Sequence, residues 1–450
     1  MRLFLAFFVF ILSNFINAPA MAQSLIRDAE IENTIRGYSD PIFAAAGLNP
    51  KDVQIYIVND KSLNAFVTDG QKMFLNTGII LDAKAPIQLK GVIAHETGHI
   101  AGGHLARSTQ AERAAMVPAY ISIALGIAAI AAGAPDAGAA LLASSQQFAL
   151  LSFFTYTRIQ EASADQAALQ YLEKTHQSGQ GLVDFFEKFR YNEVMSDARK
   201  EPYFRSHPLS GDRILALQTK LSKSEYANTK DTQAEIDQFK MIQAKIFGFV
   251  STSEQTYLKY NYRDNSKPSL YARAIAFYRA PDLQMAVSTL DKLLSQEPNN
   301  PYFNELMGQI LFENNKSKDA IAYYEKSTQL APKESLLYVG LARAYIAQND
   351  KLSYEKADAA LKNAIRYEPE NAFAWNQLAI VADRQGKAGL ARLATAEEAF
   401  FLGDFARANR FSQVAMKNLE RKTPEWQRAS DIRVITDPIV AKMVRKGNYN

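Results

Sequence analysis

The stretch GVIAHETGHIAGGH, residues 91–104, contains three of the five histidines of this 450-residue chain. His95, Glu96 and His99 fit the pattern H-E-x-x-H. Residues four apart share one face of a helix, so both imidazoles can bind one metal ion, and the glutamate beside them can accept a proton from water. A chance match in a chain with so few histidines has a probability on the order of a few per thousand. The stretch therefore predicts a helix with a catalytic site for one Zn²⁺ per chain.

His104 is a poor candidate for the third ligand. The longer pattern H-E-x-x-H-x-x-G-x-x-H would put its third histidine at position 105, and that residue is Leu105. On a continued helix, His104 would also point away from His95. We expect His104 to support the ligands or to face solvent.

A second helical stretch, RIQEASADQAALQYL at residues 158–172, offers carboxylates. Glu161 and Asp165 are four residues apart and share a face. Glu161 would complete a His-His-Glu set and leave the fourth position for water, as catalytic zinc requires. Asp165 could accept a hydrogen bond from a ligating imidazole and fix its tautomer. Acidic pairs are common on solvated helix faces, so this inference depends on the HETGH motif.

The segment FRSHPLSGDR, residues 204–213, places His207 before a proline and hence in a turn or at a helix start. Two roles stay open for His207. It could donate a hydrogen bond to the oxyanion of a tetrahedral intermediate, or it could bind zinc as a fourth ligand and keep an enzyme latent. Arg213 is expected to steady this loop.

The chain begins with features of an exported protein. Arg2 precedes an apolar run, and Ala20 and Ala22 form an A-x-A cleavage signal. Ser13 and Asn14 interrupt the run, which argues against a membrane anchor. We expect residues 1–22 to be a signal peptide and the mature protein to be periplasmic.

The region before and after the HETGH motif is expected to be mixed. Helix is predicted over 25–47, strands over 53–58, 63–67 and 72–76, and another helix from Pro86, with a hairpin turn at Asp69-Gly70. Residues 114–157 contain a single charged residue, Asp136. A hairpin of helices, buried or lying over a cleft, is favoured there, and peripheral membrane contact stays open.

The last third of the chain repeats with a period near 34 residues. Three prolines and three alanines keep the same spacings of 34 and 37 residues: Pro298, Pro332 and Pro369, and Ala286, Ala320 and Ala357. This period, with small residues inside helices and proline after each pair, is the tetratricopeptide signature. The three extra residues are expected in the loop within NDKLSYEKA.

These patterns predict a mainly α protein: an α+β zincin-like peptidase domain with a small sheet, followed by an α-helical tetratricopeptide solenoid. The expected bounds are 23–260 for the peptidase domain, 268–425 for the repeats and 426–450 for a tail. The net charge of +4 gives no reason to expect nucleic acid as a partner, and the absence of cysteine leaves histidine and carboxylates as metal ligands.

HETGH, the later EASAD and the SHP turn resemble the gluzincin peptidases that include the HtpX-like and CaaX-prenyl peptidases. The resemblance covers nearly the whole mature chain. It implies zinc held by His95, His99 and Glu161, with Glu96 as general base. For an exported form with tetratricopeptide repeats, it also implies proteolysis, and chaperoning, of outer-membrane β-barrel proteins that fail to assemble.

We therefore expect an exported zinc endopeptidase. Its substrate would lie extended along an edge strand at Asn64, Ala65 and Phe66, and the repeats would dock the client or the β-barrel assembly machinery. The alternative is a chaperone or assembly scaffold with a latent peptidase site.

Overall fold

The structure of the chain is a computed structural model, and it describes residues 25–104, 121–125, 127, 135–194 and 207–445. The predicted signal peptide lies outside the described residues, and so does part of the apolar stretch, namely residues 114–120, 126 and 128–134. Two compact units divide the chain. Unit one comprises residues up to 26 together with 35–236, and unit two comprises 27–34 together with 237–450. The predicted domain bounds stay predictions.

Unit one contains a four-stranded sheet in the order β1-β2-β4-β3. Its strands are β1 (Leu25–Ile26), β2 (Gln54–Val58), β3 (Ala65–Thr68) and β4 (Lys72–Asn76). β2 and β4 are parallel, whereas β1 pairs antiparallel with β2, and β3 antiparallel with β4. The three longer strands match their predicted positions to within two residues. The prediction of helix from residue 25 was wrong, because Leu25 and Ile26 pair with Val58 and Ile57, and helix α1 runs from Ala29 to Ala45.

The hairpin between β3 and β4 turns at Asp69-Gly70, as predicted. Gly70 and Gln71 both have positive φ, 79° and 57°, which a tight hairpin requires and glycine permits. β3 is hydrogen-bonded to β4 on one side and is the last strand in the order, so it is an edge strand among the described residues.

The central helix of unit one is α3 (Pro86–Ala101), which follows the short helix α2 (Thr77–Asp82). α3 begins at a proline, as predicted, because a first helical residue needs no N–H partner. It contacts β3 and the helices α4 (Pro135–Lys174) and α5 (Gln180–Val194), so it is buried on most of its faces. Helix α6 (Gly211–Leu221) packs against both α4 and α5.

Two glycines let these neighbours approach α3. A Cβ on Gly98 would lie 2.9 Å from the carbonyl oxygen of Ala164 in α4, and a Cβ on Gly91 would lie 2.7 Å from the backbone nitrogen of Leu182 in α5. No helix in the described ranges is both long enough and apolar enough to span a bilayer.

Unit two is a series of paired helices, preceded by α7 (Gln233–Val250) and α8 (Ser253–Lys259). The pairs are α9 (Lys267–Arg279) with α10 (Leu283–Gln296), α11 (Pro301–Glu313) with α12 (Ser317–Leu330), α13 (Ser335–Ile346) with α14 (Lys351–Tyr367), α15 (Ala372–Arg384) with α16 (Ala388–Phe401), and α17 (Phe405–Asn418) with α18 (Pro424–Arg445). Ala286, Ala320 and Ala357 are fully buried in second helices, as close helix packing requires.

Two details of unit two differ from the sequence prediction. The three extra residues near position 350 lengthen a helix rather than a loop, because α14 has 17 residues where α12 has 14. The stretch expected as a tail is largely helix α18, whose Ala429, Ile432 and Thr436 are buried.

We predict that Gly98→Ala destabilises unit one by about 1–3 kcal/mol, because the added methyl group overpacks the contact between α3 and α4. Thermal or urea denaturation followed by circular dichroism measures the effect. Gly37→Ala is the matched control, since Gly37 lies in α1 and a Cβ added there would have nothing within 4 Å, so its replacement should stabilise by up to about 1 kcal/mol. Equal stability of the two variants would contradict the close-approach argument.

Candidate metal centre

Three segments of unit one bring the predicted site residues together. α3 carries His95, Glu96 and His99, α4 carries Glu161, and the turn before α6 carries His207. All five side chains are buried, with relative exposures between 0% and 7%. Four of them, all except Glu96, offer ligand atoms that lie within 4.8 Å of one another.

The distances between these atoms match the edges of a zinc tetrahedron. Ligands about 2.0–2.1 Å from a tetrahedral zinc ion lie roughly 3.3–3.4 Å from one another. His95 Nε2 lies 3.1 Å from His99 Nε2 and 3.3 Å from His207 Nδ1. The carboxylate of Glu161 lies 3.4 Å from His95 Nε2, 3.4 Å from His99 Nε2 and 3.1 Å from His207 Nδ1. The donor set therefore fits one metal ion held by three imidazoles and one carboxylate.

The chemistry of the donors supports the same conclusion. His95 Nδ1 lies 3.0 Å from Asp165 Oδ1, and this nearby carboxylate favours a proton on Nδ1, which leaves the Nε2 lone pair for a metal. Three imidazole nitrogens that converge on one point cannot all be satisfied by hydrogen bonds to each other, because a neutral ring has only one N–H. A cation between them satisfies all three lone pairs.

Asp165 is itself held by Arg213. The guanidinium donates from Nε to Asp165 Oδ2 at 2.7 Å and from one Nη to Oδ1 at 2.8 Å, the two-bond geometry that suits a carboxylate. Its other Nη lies 3.1 Å from Glu161 Oε2. The prediction that Asp165 and Arg213 support the ligands therefore agrees with these contacts, although their roles stay predictions.

The carboxylates create a negative environment around the imidazoles. Burial lowers the pKa of His95, but Asp165 and Glu161 outweigh it and raise this pKa to about 10. Burial raises the pKa of Glu161, but the neighbouring His207 and His95 outweigh it and hold this pKa well below its usual range. The same negative charges favour a divalent cation, which binds with release of the imidazole proton.

Glu96 lies beside the ligands and is fully buried. Neither of its carboxylate oxygens has a hydrogen-bond partner within the described ranges, and Oε1 lies 3.4 Å from His207 Nε2. Burial is the main cause that raises the pKa of Glu96. A buried carboxylate without a partner is costly, and such groups are found where a protein needs a base rather than a structural contact.

His104 supports a ligand instead of facing solvent. It is buried, and its Nδ1 lies 3.0 Å from His99 Nδ1. The helix does not continue to residue 104, because α3 ends at Ala101 and Gly103 has a φ of 60°. The two consecutive glycines, which favour a helix end, were the sequence signal for this turn.

Phe186 of α5 is a neighbour that sequence reasoning missed. Its ring packs edge-on against His95, with centroids 6.0 Å apart, and lies 5.0 Å from the Arg213 guanidinium carbon. An apolar residue on an amphipathic helix carries no signal that distinguishes this position from ordinary core. The predicted substrate residues lie at the sheet edge, where Phe66 stacks on Phe74 at 4.9 Å.

Several known proteins are similar to this chain. A Beta-barrel assembly-enhancing protease from Yersinia pestis is 24% identical over 394 residues, which cover 85% of this chain and 79% of that relative. The protein of the same name from Escherichia coli K12 is 23% identical over 330 residues, covering 72% of this chain and 66%, just under two thirds, of the relative. The crystal structure of MamA is 21% identical and covers 39% of this chain and 97% of its own, with a TM-score of 0.29.

Residues 26–221 match the model of the family described as Peptidase family M48, and this range contains every residue of the metal centre. The resemblance to metallopeptidases that HETGH, EASAD and SHP suggested is thereby confirmed. The chain thus contains a Peptidase family M48 domain over residues 26–221.

Proposed function

We propose that this protein is a zinc-dependent endopeptidase of the periplasm that acts in quality control and assembly of outer-membrane β-barrel proteins. The observation that carries the peptidase activity is the buried Glu96, whose carboxylate accepts no hydrogen bond from the described residues and lies beside four convergent ligand atoms. The names of the relatives support the class of client. Zinc is proposed because imidazole and carboxylate donors at tetrahedral spacing suit it.

The residues of this chain divide the chemistry among them. His95, His99 and Glu161 would hold the zinc ion, which when bound would polarise a substrate carbonyl and lower the pKa of water at the site. Glu96 accepts the proton of the attacking water and passes it to the leaving amine. Its raised pKa, caused mainly by burial, suits a group that must both accept and return a proton.

The edge strand β3 supports the proposal that a substrate binds in extended form. Main-chain pairing with an edge strand depends little on sequence and favours unfolded chains. We place the substrate along Asn64, Ala65 and Phe66. Ala65 is fully buried, so the pairing would rely on the backbone of β3 rather than on that side chain.

His207 is assigned the inhibitory role rather than that of an oxyanion donor. Its Nδ1 is 3.1 Å from the Glu161 carboxylate and 3.3 Å from His95 Nε2, and these distances support a role as the fourth ligand. A group at this corner excludes water from the position that hydrolysis needs. The protein in this conformation is therefore latent, which accommodates the alternative of a chaperone with a closed peptidase site.

The repeats are proposed to dock the client or the β-barrel assembly machinery, and the apolar stretch is proposed to make peripheral contact with a membrane. Residues 27–34, which belong to unit two, already cover part of the surface of α9 and α11. Tyr271 donates to Glu30 Oε2 at 2.7 Å, and Asn33 donates to the hydroxyl oxygen of Tyr302 at 3.1 Å. The repeats carry exposed apolar side chains in early and late pairs, among them Met285 at 40% and Phe373 at 50%, and these support docking on the repeats.

We predict that His207→Ala increases cleavage of casein or of an unfolded β-barrel protein by at least about tenfold, because an imidazole tethered at the site no longer competes with water. His176→Ala is the control, since His176 packs edge-on against Tyr226 outside the ligand set. Lower cleavage by the His207 variant would instead assign His207 to oxyanion stabilisation.

In the His207→Ala background, Glu96→Gln should reduce cleavage by roughly 10²–10⁴-fold, the usual contribution of a general base. The zinc content should stay the same, because glutamine has nearly the same shape as glutamate and Glu96 is not a ligand. Cleavage equal to that of the parent variant would show that Glu96 is not the base.

Glu161→Ala should lose stoichiometric zinc and weaken zinc binding by at least about 100-fold, since even the loss of a residue that only supports a ligand costs about 10–100-fold. Elemental analysis after dialysis against a weak chelator measures the occupancy. Glu173→Ala, an exposed position on the same helix, is the matched control. Full occupancy in the Glu161 variant would overturn the proposed ligand set.

A further inference from the structure

Arg213 contacts both α4 and the turn that carries His207. It donates two hydrogen bonds to Asp165 on α4 and lies 3.1 Å from the ligand Glu161. A further hydrogen bond, 2.8 Å long, runs from its Nη1 to the carbonyl oxygen of Pro208, the residue after His207. One buried guanidinium thus connects the carboxylates of α4 to the turn that carries the fourth ligand.

The turn has little regular structure of its own. Residues 207–210 belong to no helix or strand, and α6 begins at Gly211 with Ser210 as its cap. Ser210 Oγ accepts a hydrogen bond from the backbone nitrogen of Arg213 at 3.3 Å. Arg213 is therefore tied to both ends of the turn, to Pro208 through its side chain and to Ser210 through its backbone.

Arginine is suited to this position in a way that lysine is not. The planar guanidinium bonds Asp165 through two nitrogens while a third reaches Pro208, and the face of Phe186 lies against it at 5.0 Å. Lysine has a single nitrogen, which can keep the ion pair with Asp165 but cannot span these positions in the same geometry. A charge-assisted hydrogen bond of this kind shifts a conformational equilibrium by roughly 10–100-fold.

We propose that Arg213 is a positioning residue for latency: it holds the His207 turn against the metal ligands, and loss of its contact with Pro208 releases His207. The proposal rests on the inhibitory role assigned to His207 above. Arg213 then has two functions. It supports Asp165, which contacts His95, and it retains the His207 turn. Release of the turn would activate the enzyme while the ligands on α3 and α4 stay in place.

The test uses the full-length protein loaded with Co²⁺, whose visible absorption reports the number and type of its ligands. His207→Ala should change this absorption, because water replaces an imidazole. Arg213→Lys should move the absorption toward that of the His207 variant, and Arg213→Lys/His207→Ala should match His207→Ala alone. Casein cleavage per bound metal should rise at least about tenfold in Arg213→Lys and show no further rise when the Arg213 change is added to His207→Ala.

Arg36→Lys is the matched control. Arg36 also lies in unit one and donates to a proline carbonyl, that of Pro50, at 3.0 Å, and to Asp40 at 3.3 Å. Its replacement should leave the cobalt absorption and the cleavage rate at their wild-type values.

The outcomes distinguish the inference from the proposed function. Wild-type absorption and cleavage in Arg213→Lys, together with altered values in His207→Ala, would overturn the role of Arg213 and leave latency intact. Wild-type absorption in His207→Ala would overturn both. Circular dichroism shows whether Arg213→Lys folds; should it not fold, Asp165→Asn, which weakens the hold on the guanidinium, must give the same partial shift for the proposal to stand.

Discussion

The close approach of α3 and α4 is the constraint on which the site depends. The imidazoles of His95 and His99 are on one helix and the carboxylate of Glu161 is on another, so their atoms meet only if the two backbones come close. Gly98, between the two histidines in sequence, leaves room for the carbonyl of Ala164 at a distance that no Cβ would tolerate. A larger residue at position 98 would separate the helices, and the carboxylate would no longer reach both rings. Both the ligand set and the packing of α3 against α4 thus require a small residue at position 98.

The charges of the site follow from the same burial. Glu96, Glu161 and Asp165 are buried with one guanidinium, that of Arg213, so negative charge is in excess when the imidazoles are neutral. Buried charge without compensation is expensive, and proteins resolve it by proton uptake or by binding a cation. The high pKa of His95 reflects the first solution. A divalent cation provides the second, which explains why the ligands can be so deeply buried without destabilising the fold.

The sequence was sufficient to predict those features that depend on residues four apart on a helix. H-E-x-x-H and the pair Glu161 and Asp165 each repeat at four residues, and the structure brings both together. Errors arose where an element was too short to have a period or where a pattern was extended past its end. The two residues of β1 have no period, and the sequence left two options open for His104 because the helix was assumed to pass through Gly103. The position of Phe186 against His95 is a product of tertiary packing that no local pattern records.

The burial of Glu96 also bears on how the site can work. A general base must come within hydrogen-bond distance of the water it deprotonates, and a peptide must reach the metal beside it. Under the inhibitory role proposed for His207, whose Nε2 lies 3.4 Å from the fully buried Glu96 carboxylate, a peptide must displace this imidazole to bind productively. Something must move, and helices α3 and α4 cannot separate without destroying the ligand set. Among the described residues, the turn at His207 is the irregular segment in contact with both the ligands and the base. The proposed latency therefore makes access to the active site a conformational equilibrium of this turn, and activity would depend on whatever shifts that equilibrium.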